Sequence, residues 1–194
     1  MKIVAIVPMK LNNRRLPQKN TKRFTNGKPL CSYILSTLLE IDKIDEVYVY
    51  CSNPEIKEFI PNKVKFLQRS ESLDKDTTSM TEVLTCFTKE VPADIYVMTH
   101  TTAPFISKES IQKGLESVVS GKYDSSFAAK KLQDFLWMEG KPFNYTLDNI
   151  PRTQDLQPIY EETSGFYIYT HDVMTELHRR IGENPFIVEI ETLY

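Results

Sequence analysis

Four times in its first 120 residues the chain alternates a short apolar run with a segment of helical period. Residues 2–7, built on Ile3-Val4-Ala5-Ile6-Val7, are apolar on both faces, the mark of a central parallel strand. From Pro29 to Ile41 the residues Leu30, Ile34, Leu35, Leu38 and Leu39 recur at helical spacing, with Pro29 in the first turn. Strands are expected at Glu46–Cys51, Val64–Gln68 and Asp94–Thr99. A short helix ending near Ile60 follows Ser52-Asn53-Pro54. Longer helices run through Val83, Leu84 and Phe87, and from Ser107 through Ile111, Leu115 and Val118 to Gly121. That rhythm predicts an α/β fold, a parallel sheet with helices on both faces. In such a sheet ligands bind outside the carboxyl ends of the strands. The loops Lys10–Asn20, Ser52–Asn53 and His100–Pro104 are therefore expected to converge.

The texture changes after Asp124. Residues 125–129, 165–169 and 186–190 read as further strands, and Val173–Arg180 as a helix. Residues 131–162 are rich in aromatics, prolines and amides, poor material for a helix, and read as extended hairpins or an arm. Phe135, Trp137, Phe143 and Tyr145 either form a contact surface with a second subunit or cover one end of the sheet.

Within this frame the segment Pro8–Asn20 carries Lys10, Arg14, Arg15 and Lys19 with three asparagines and two prolines. A buried strand that delivers a basic loop suits phosphate binding. The whole chain of 194 residues has 24 basic and 26 acidic residues and a net charge of −2. A broad nucleic-acid footprint is thereby excluded, and the basic cluster must act locally. The apolar run before Pro8 is too short for a signal peptide, and no stretch reaches transmembrane length. Three cysteines, Cys31, Cys51 and Cys86, are odd in number and lack metal-ligand spacing. Reduced core thiols in a soluble cytoplasmic protein, without membrane or nucleic-acid partners, are expected. No Walker-type or dinucleotide glycine motif occurs, nor a Ser-His-Asp order. A cation-rich site without a dedicated nucleophile fits nucleotidyl or phosphoryl transfer, in which charge neutralisation dominates.

The ordered motifs resemble those of the acylneuraminate cytidylyltransferase family, the CMP-sialic acid synthetases and their KDO-activating relatives. Val7–Asn20 (VPMKLNNRRLPQKN) resembles the opening motif I-P-A-R-x-x-S-x-x-L-P-x-K-N, followed by Gly27-Lys28-Pro29-Leu30. Cys51-Ser52-Asn53, Arg69 to Ser79, Thr99 to Pro104, Pro151 to Asp155 and Gly165 to Ile168 resemble the later blocks in order. The resemblance implies a Rossmann-like three-layer, mostly parallel sheet of nucleotide-diphospho-sugar transferase type, one domain over 1–194, with 131–162 as a dimerisation arm. It implies CTP and a 2-keto sugar acid as substrates, CMP-sugar and pyrophosphate as products, Mg²⁺ as cofactor and a homodimer. Carried over by position, Lys10 and Lys19 meet the triphosphate, Asn20 the cytosine, and Arg69 the nucleotide, with Asn12, Arg15 and Ser79 assisting. His100 and Thr102 face the sugar, with Arg152 and Gln154 nearby.

Departures accompany the likeness. Lys10 stands where the family has Arg, His100 replaces Gln, and Ile106 replaces Arg. Glu189-Ile190-Glu191-Thr192 stands where the family has Asp-x-Asp-Thr, read either as a metal pair or as two surface glutamates on an edge strand. The chain stops at Tyr194, just past this segment, which leaves a longer parent chain open. A near-neutral pKa would suit His100 as general base toward the sugar hydroxyl. Two other readings stand beside this one: a nucleotidyltransferase for another acceptor, such as an alditol phosphate or phosphonate, and a nucleotide-binding protein without turnover.

Overall fold

The computed structural model describes residues 1–12 and 16–191. Its elements run β1 (Ile3–Met9), α1 (Leu30–Leu39), β2 (Glu46–Cys51), β3 (Lys65–Gln68), α2 (Met80–Glu90), β4 (Ile95–Thr99) and α3 (Lys108–Val119). They continue with β5 (Ser125–Leu132), β6 (Trp137–Met138), β7 (Lys141–Pro142), β8 (Ile159–Thr170), α4 (His171–Thr175) and β9 (Pro185–Glu189). Seven strands form one sheet in the order β3-β2-β1-β4-β8-β5-β9. All pairings are parallel except those of β8, which runs against both β4 and β5.

Strand alternation divides the core into two layers. From β1, Ile3, Ala5, Val7 and Met9 pack with α1 and α3, through Ile34, Leu35, Leu38, Ile111 and Leu115. Val4 and Ile6 face the other way, toward Val83, Leu84 and Phe87 of α2 and Val173 and Met174 of α4. Phe87 is fully buried, with the rings of Tyr48, Tyr50 and Tyr96 set edge-on around it. Truncating such a residue to alanine costs about 3–5 kcal/mol. Gly114 lets α3 lie close on the sheet, because a Cβ there would come within 2.8 Å of the Phe166 ring and the Ser126 hydroxyl.

Helix starts follow the expected chemistry. Asn53 caps the 3₁₀ turn Pro54–Phe59 by accepting from the Glu55 N–H. Ser107 caps α3 by accepting from the Ser110 N–H. The expected helix over Val173–Arg180 is shorter, ending at Thr175. Only Val173 and Met174 bury apolar surface there, and His178 takes a left-handed conformation (φ 51°) that a helix cannot continue through.

Residues 131–162 do form an arm, rooted in the sheet. Lys130, Lys131 and Leu132 of β5 pair with Glu161, Tyr160 and Ile159 of β8. Beyond this ribbon, β6 and β7 close a two-residue hairpin at Glu139 (φ 51°) and Gly140 (φ 76°), both left-handed as such turns require. Phe135 and Tyr145 pack edge to face at 4.8 Å, while Trp137, Met138, Phe143, Leu147 and Ile150 remain exposed. The three cysteines are free, and burial pushes the Cys31 thiol up to about 11, as a core residue should show. No helix among the described residues is long and apolar enough to cross a membrane.

Candidate active site

The order β3-β2-β1-β4 reverses direction of build between β1 and β4, and a crevice opens outside their carboxyl ends. A cavity of about 180 Å³ lies there. Pro8, Met9 and Lys10 reach it from β1, Lys19 and Asn20 from the loop that follows, and Arg69 from the end of β3. Lys75, Thr78 and Met80 line it at the start of α2, and His100, Thr101 and Thr102 beyond β4. Four cations thus face one small volume.

The loops are latched to one another. Asn20 is buried; its amide nitrogen donates to the Lys10 carbonyl (2.9 Å), and its oxygen accepts from the Thr101 hydroxyl (2.7 Å). The Asn20 side chain thereby joins the loops after β1 and β4. Arg69, with its side chain 4% exposed, donates from Nη2 (2.6 Å) and Nε (3.2 Å) to Asp74 Oδ1. Ser52 donates to the other Asp74 oxygen at 2.6 Å. The Asp74 carbonyl accepts from Lys10 Nζ at 3.3 Å, and Lys10 also approaches Asp76 at 3.4 Å. One residue, Asp74, therefore ties the ends of β2 and β3 together through its carboxylate and holds the basic loop through its backbone carbonyl.

His100 is partly buried, and its pKa falls to about 4. Burial is the main cause, with the positive charges of Arg180 and Lys19 adding to it. The near-neutral value expected for a free imidazole does not hold here. His100 is uncharged at neutral pH and, in the ligand-free protein, a weak base. Arg180 lies 3.9 Å over the Tyr167 ring and donates to Glu162 and to the Tyr167 oxygen, both at 3.2 Å. Tyr167 itself donates to Glu162.

Several expected site residues sit elsewhere. Asn12 lines a neighbouring cavity with Ser52, Asn53 and Asp74. Arg14 and Arg15 lie outside the described residues. Ser79 is the N-cap of α2, its hydroxyl and Glu82 closing a capping box. Arg152 and Gln154 are exposed on the arm, where Arg152 pairs with Asp155 at 2.7 Å. Glu189 lies on β9, at the sheet edge four strand spacings, roughly 19 Å, from β1. Glu191 reaches a different cavity. Among the described residues no three His, Cys, Asp or Glu side chains gather to hold a metal. Glu189 and Glu191, the residues the resemblance implies for Mg²⁺, do not line the cation-rich crevice.

Asp74, Lys75, Thr101 and Arg180 are the additions. Asp74 follows Arg69 by five residues, a spacing that becomes informative only once a 3₁₀ turn (Glu71–Asp74) folds it back. Arg180 carries no sequence signal, being brought close enough for its charge to act on His100 by the return of the chain after β8.

The Cytidylyltransferase family matches residues 4–190. The chain belongs to the cytidylyltransferase family. It is thus a CTP-dependent cytidylyltransferase, and the crevice just described is its candidate nucleotide site. Pseudaminic acid cytidylyltransferase of Campylobacter jejuni is 27% identical over 191 residues, covering 91% of this chain and 82% of its own length. CMP-N,N'-diacetyllegionaminic acid synthase of Legionella pneumophila is 28% identical over 185 residues, covering 88% and 78%. N-acylneuraminate cytidylyltransferase B of Danio rerio is 25% identical over 189 residues, covering 90% of this chain and 44% of its own length. The fold is that of CMP:2-keto-3-deoxy-manno-octonic acid synthetase complexed with CTP, at TM-score 0.70 and 17% identity over 98% of this chain and 91% of that one.

Proposed function

We propose that this cytidylyltransferase activates a 2-keto sugar acid of the sialic acid kind, forming a CMP-sugar and pyrophosphate. The observation that carries the reading is the convergence of Lys10, Lys19, Arg69 and Lys75 on one crevice at the β1/β4 switch point. The sequence relatives are named for acids of this class. In the reaction the sugar's anomeric hydroxyl attacks the α-phosphorus of CTP. A new P–O bond forms as the bond to the pyrophosphate oxygen breaks. Lys10, Lys19 and Lys75 neutralise charge accumulating on the leaving pyrophosphate, and Arg69 is held rigid for the nucleotide by Asp74. A triphosphate in the crevice offsets the positive charges of Arg180 and Lys19, the lesser causes of the low His100 pKa, while burial, the main cause, persists. Uncharged His100 can accept a hydrogen bond from the sugar hydroxyl, whose proton passes to water as the P–O bond forms.

The remaining elements follow. The exposed aromatic face of the arm supports a homodimer built on residues 131–162. The nearly balanced charge supports small-molecule substrates over a nucleic-acid partner. Pyrophosphate release, assayed with each nucleoside triphosphate, Mg²⁺ and a panel of acceptors, tests the reading. Release is expected with CTP and a 2-keto sugar acid. Failure with CTP and every acceptor, or release only with an alditol phosphate or phosphonate, would overturn it.

A further inference from the structure

The pairing of β8 is interrupted midway. Phe127 of β5 pairs with Tyr167, yet Ala129, two residues on, pairs with Glu162. Ala128 therefore stands opposite a bulge made of Thr163, Ser164, Gly165 and Phe166. On one side of the bulge β8 belongs to the sheet, and on the other it roots the arm. Ser164 takes a left-handed conformation (φ 57°), a strained one for a non-glycine residue.

Arg180, from the loop after α4, spans this bulge. Its guanidinium lies 3.9 Å over the ring of Tyr167, on the sheet side, and donates to Glu162, on the arm side, at 3.2 Å. Tyr167 donates to the same Glu162 oxygen. The loop that carries Arg180 is pinned at its far end. Asp124 accepts from the Glu183 and Asn184 N–H groups at 2.7 and 2.9 Å, and the Gly182 N–H donates to Ser125 at 2.8 Å. A Cβ at Gly182 would lie 2.2 Å from Asp124, so this close approach requires glycine. Arg180 therefore has a set place, yet it is not among the residues that line the crevice. Its charge still reaches His100, which does line it. Glu162 balances that charge in the ligand-free protein. A triphosphate in the crevice adds negative charge that competes with Glu162 for the same guanidinium.

We infer that Arg180 is a shared cation, a positioning residue that staples the β8 bulge through Glu162 and Tyr167 and yields the staple when a triphosphate fills the crevice. Nucleotide binding then loosens the root of the arm, and by reciprocity a loosened root favours nucleotide binding. The inference rests on reading the crevice as the nucleotide site and calls for no particular acceptor.

Two readouts test it together: affinity for a non-hydrolysable CTP analogue, and amide hydrogen exchange over residues 159–164. Saturating analogue is expected to speed that exchange at least about threefold in the unaltered protein, the scale of one part-exposed ion pair. Glu162→Gln, a conservative change at an exposed residue, is expected to give the faster exchange without ligand and to tighten analogue binding by about threefold. Arg180→Lys keeps the charge but loses the planar fork and the stacking. It is expected to exchange fast with or without analogue and to keep its affinity. Arg180→Gln is expected to weaken binding and, combined with Glu162→Gln, to cancel the gain of the latter. A purely structural ion pair would leave analogue affinity the same in every variant, and that result would overturn the coupling. Exchange that the analogue leaves unchanged or slows would also overturn it. Lys19→Ala separates the two readings. If it weakens analogue binding while the coupling is absent, the nucleotide site stands and the coupling falls. If it leaves binding unchanged, the crevice reading falls and takes the coupling with it.

Discussion

The two ends of the site are held in different ways. On the nucleotide side every loop is tied to another loop. Asn20 bridges Lys10 and Thr101, and Asp74 bridges Arg69 and Ser52. On the arm, Arg152 is 74% exposed and engages Asp155, three residues away, and Trp137 is 58% exposed. The first region is preorganised within one chain. The second has its aromatic and cationic groups presented outward. The first arrangement suits its task. A triphosphate is the same in every turnover and rewards rigid, desolvated charge.

The largest expected effect comes from breaking the pinned side at its centre. Asp74→Ala leaves the Arg69 guanidinium buried without its carboxylate, and a loss of about 3–5 kcal/mol in unfolding free energy is expected. Urea denaturation measures it, and a loss below about 1 kcal/mol would show that the pair behaves as a surface pair. The matching change on the arm, Arg152→Ala, is expected to shift stability by less than about 0.5 kcal/mol. Because Arg152 lies outside the crevice, KM for CTP should be unchanged. A change in KM for CTP would end the distinction between the two sides.

Acid sensitivity sharpens the same comparison. His100 has a folded pKa of about 4 against an ordinary 6.5. The unfolded chain therefore binds a proton that the folded chain does not. The stability held above pH 6.5 is lost as pH falls toward 4. In His100→Gln this part of the decline between those values should vanish, as stability measured against pH would show. An unchanged slope would mean the imidazole is not shielded in solution.

A smaller effect is expected at Thr99, at the end of β4. Its hydroxyl is fully buried and, among the described residues, has no hydrogen-bond partner. Thr99→Val keeps the shape and removes an unsatisfied group, so a gain of up to about 1 kcal/mol is expected in thermal or urea unfolding. A loss would reveal a partner for that hydroxyl, such as a water molecule.

Much of this was legible in the residues. The apolar run of β1, the helical spacing of α1 and the proline-bounded basic loop after Met9 each report local physics, and they suffice to place a cation cluster at the end of a parallel strand. Ser79 was legible in a double sense, since a hydroxyl three residues before Glu82 is a helix cap before it is anything else. The helix expected through Arg180 failed because apolar spacing over Val173, Met174 and Leu177 does not reveal how much surface the sheet has left to cover. Leu177 stays 39% exposed.

What the sequence determined alone was the class of fold, the basic loop and the nucleotide chemistry, since these arise from runs and spacings within a few residues. Only the tertiary structure decided which cations share a cavity, that Asp74 pins Arg69, and that the charge of Arg180 reaches His100. It alone also set the bulge in β8 that Arg180 spans. Those facts depend on strands far apart in the chain lying side by side. Neighbouring positions there are set by sheet order and register, quantities that no local pattern encodes.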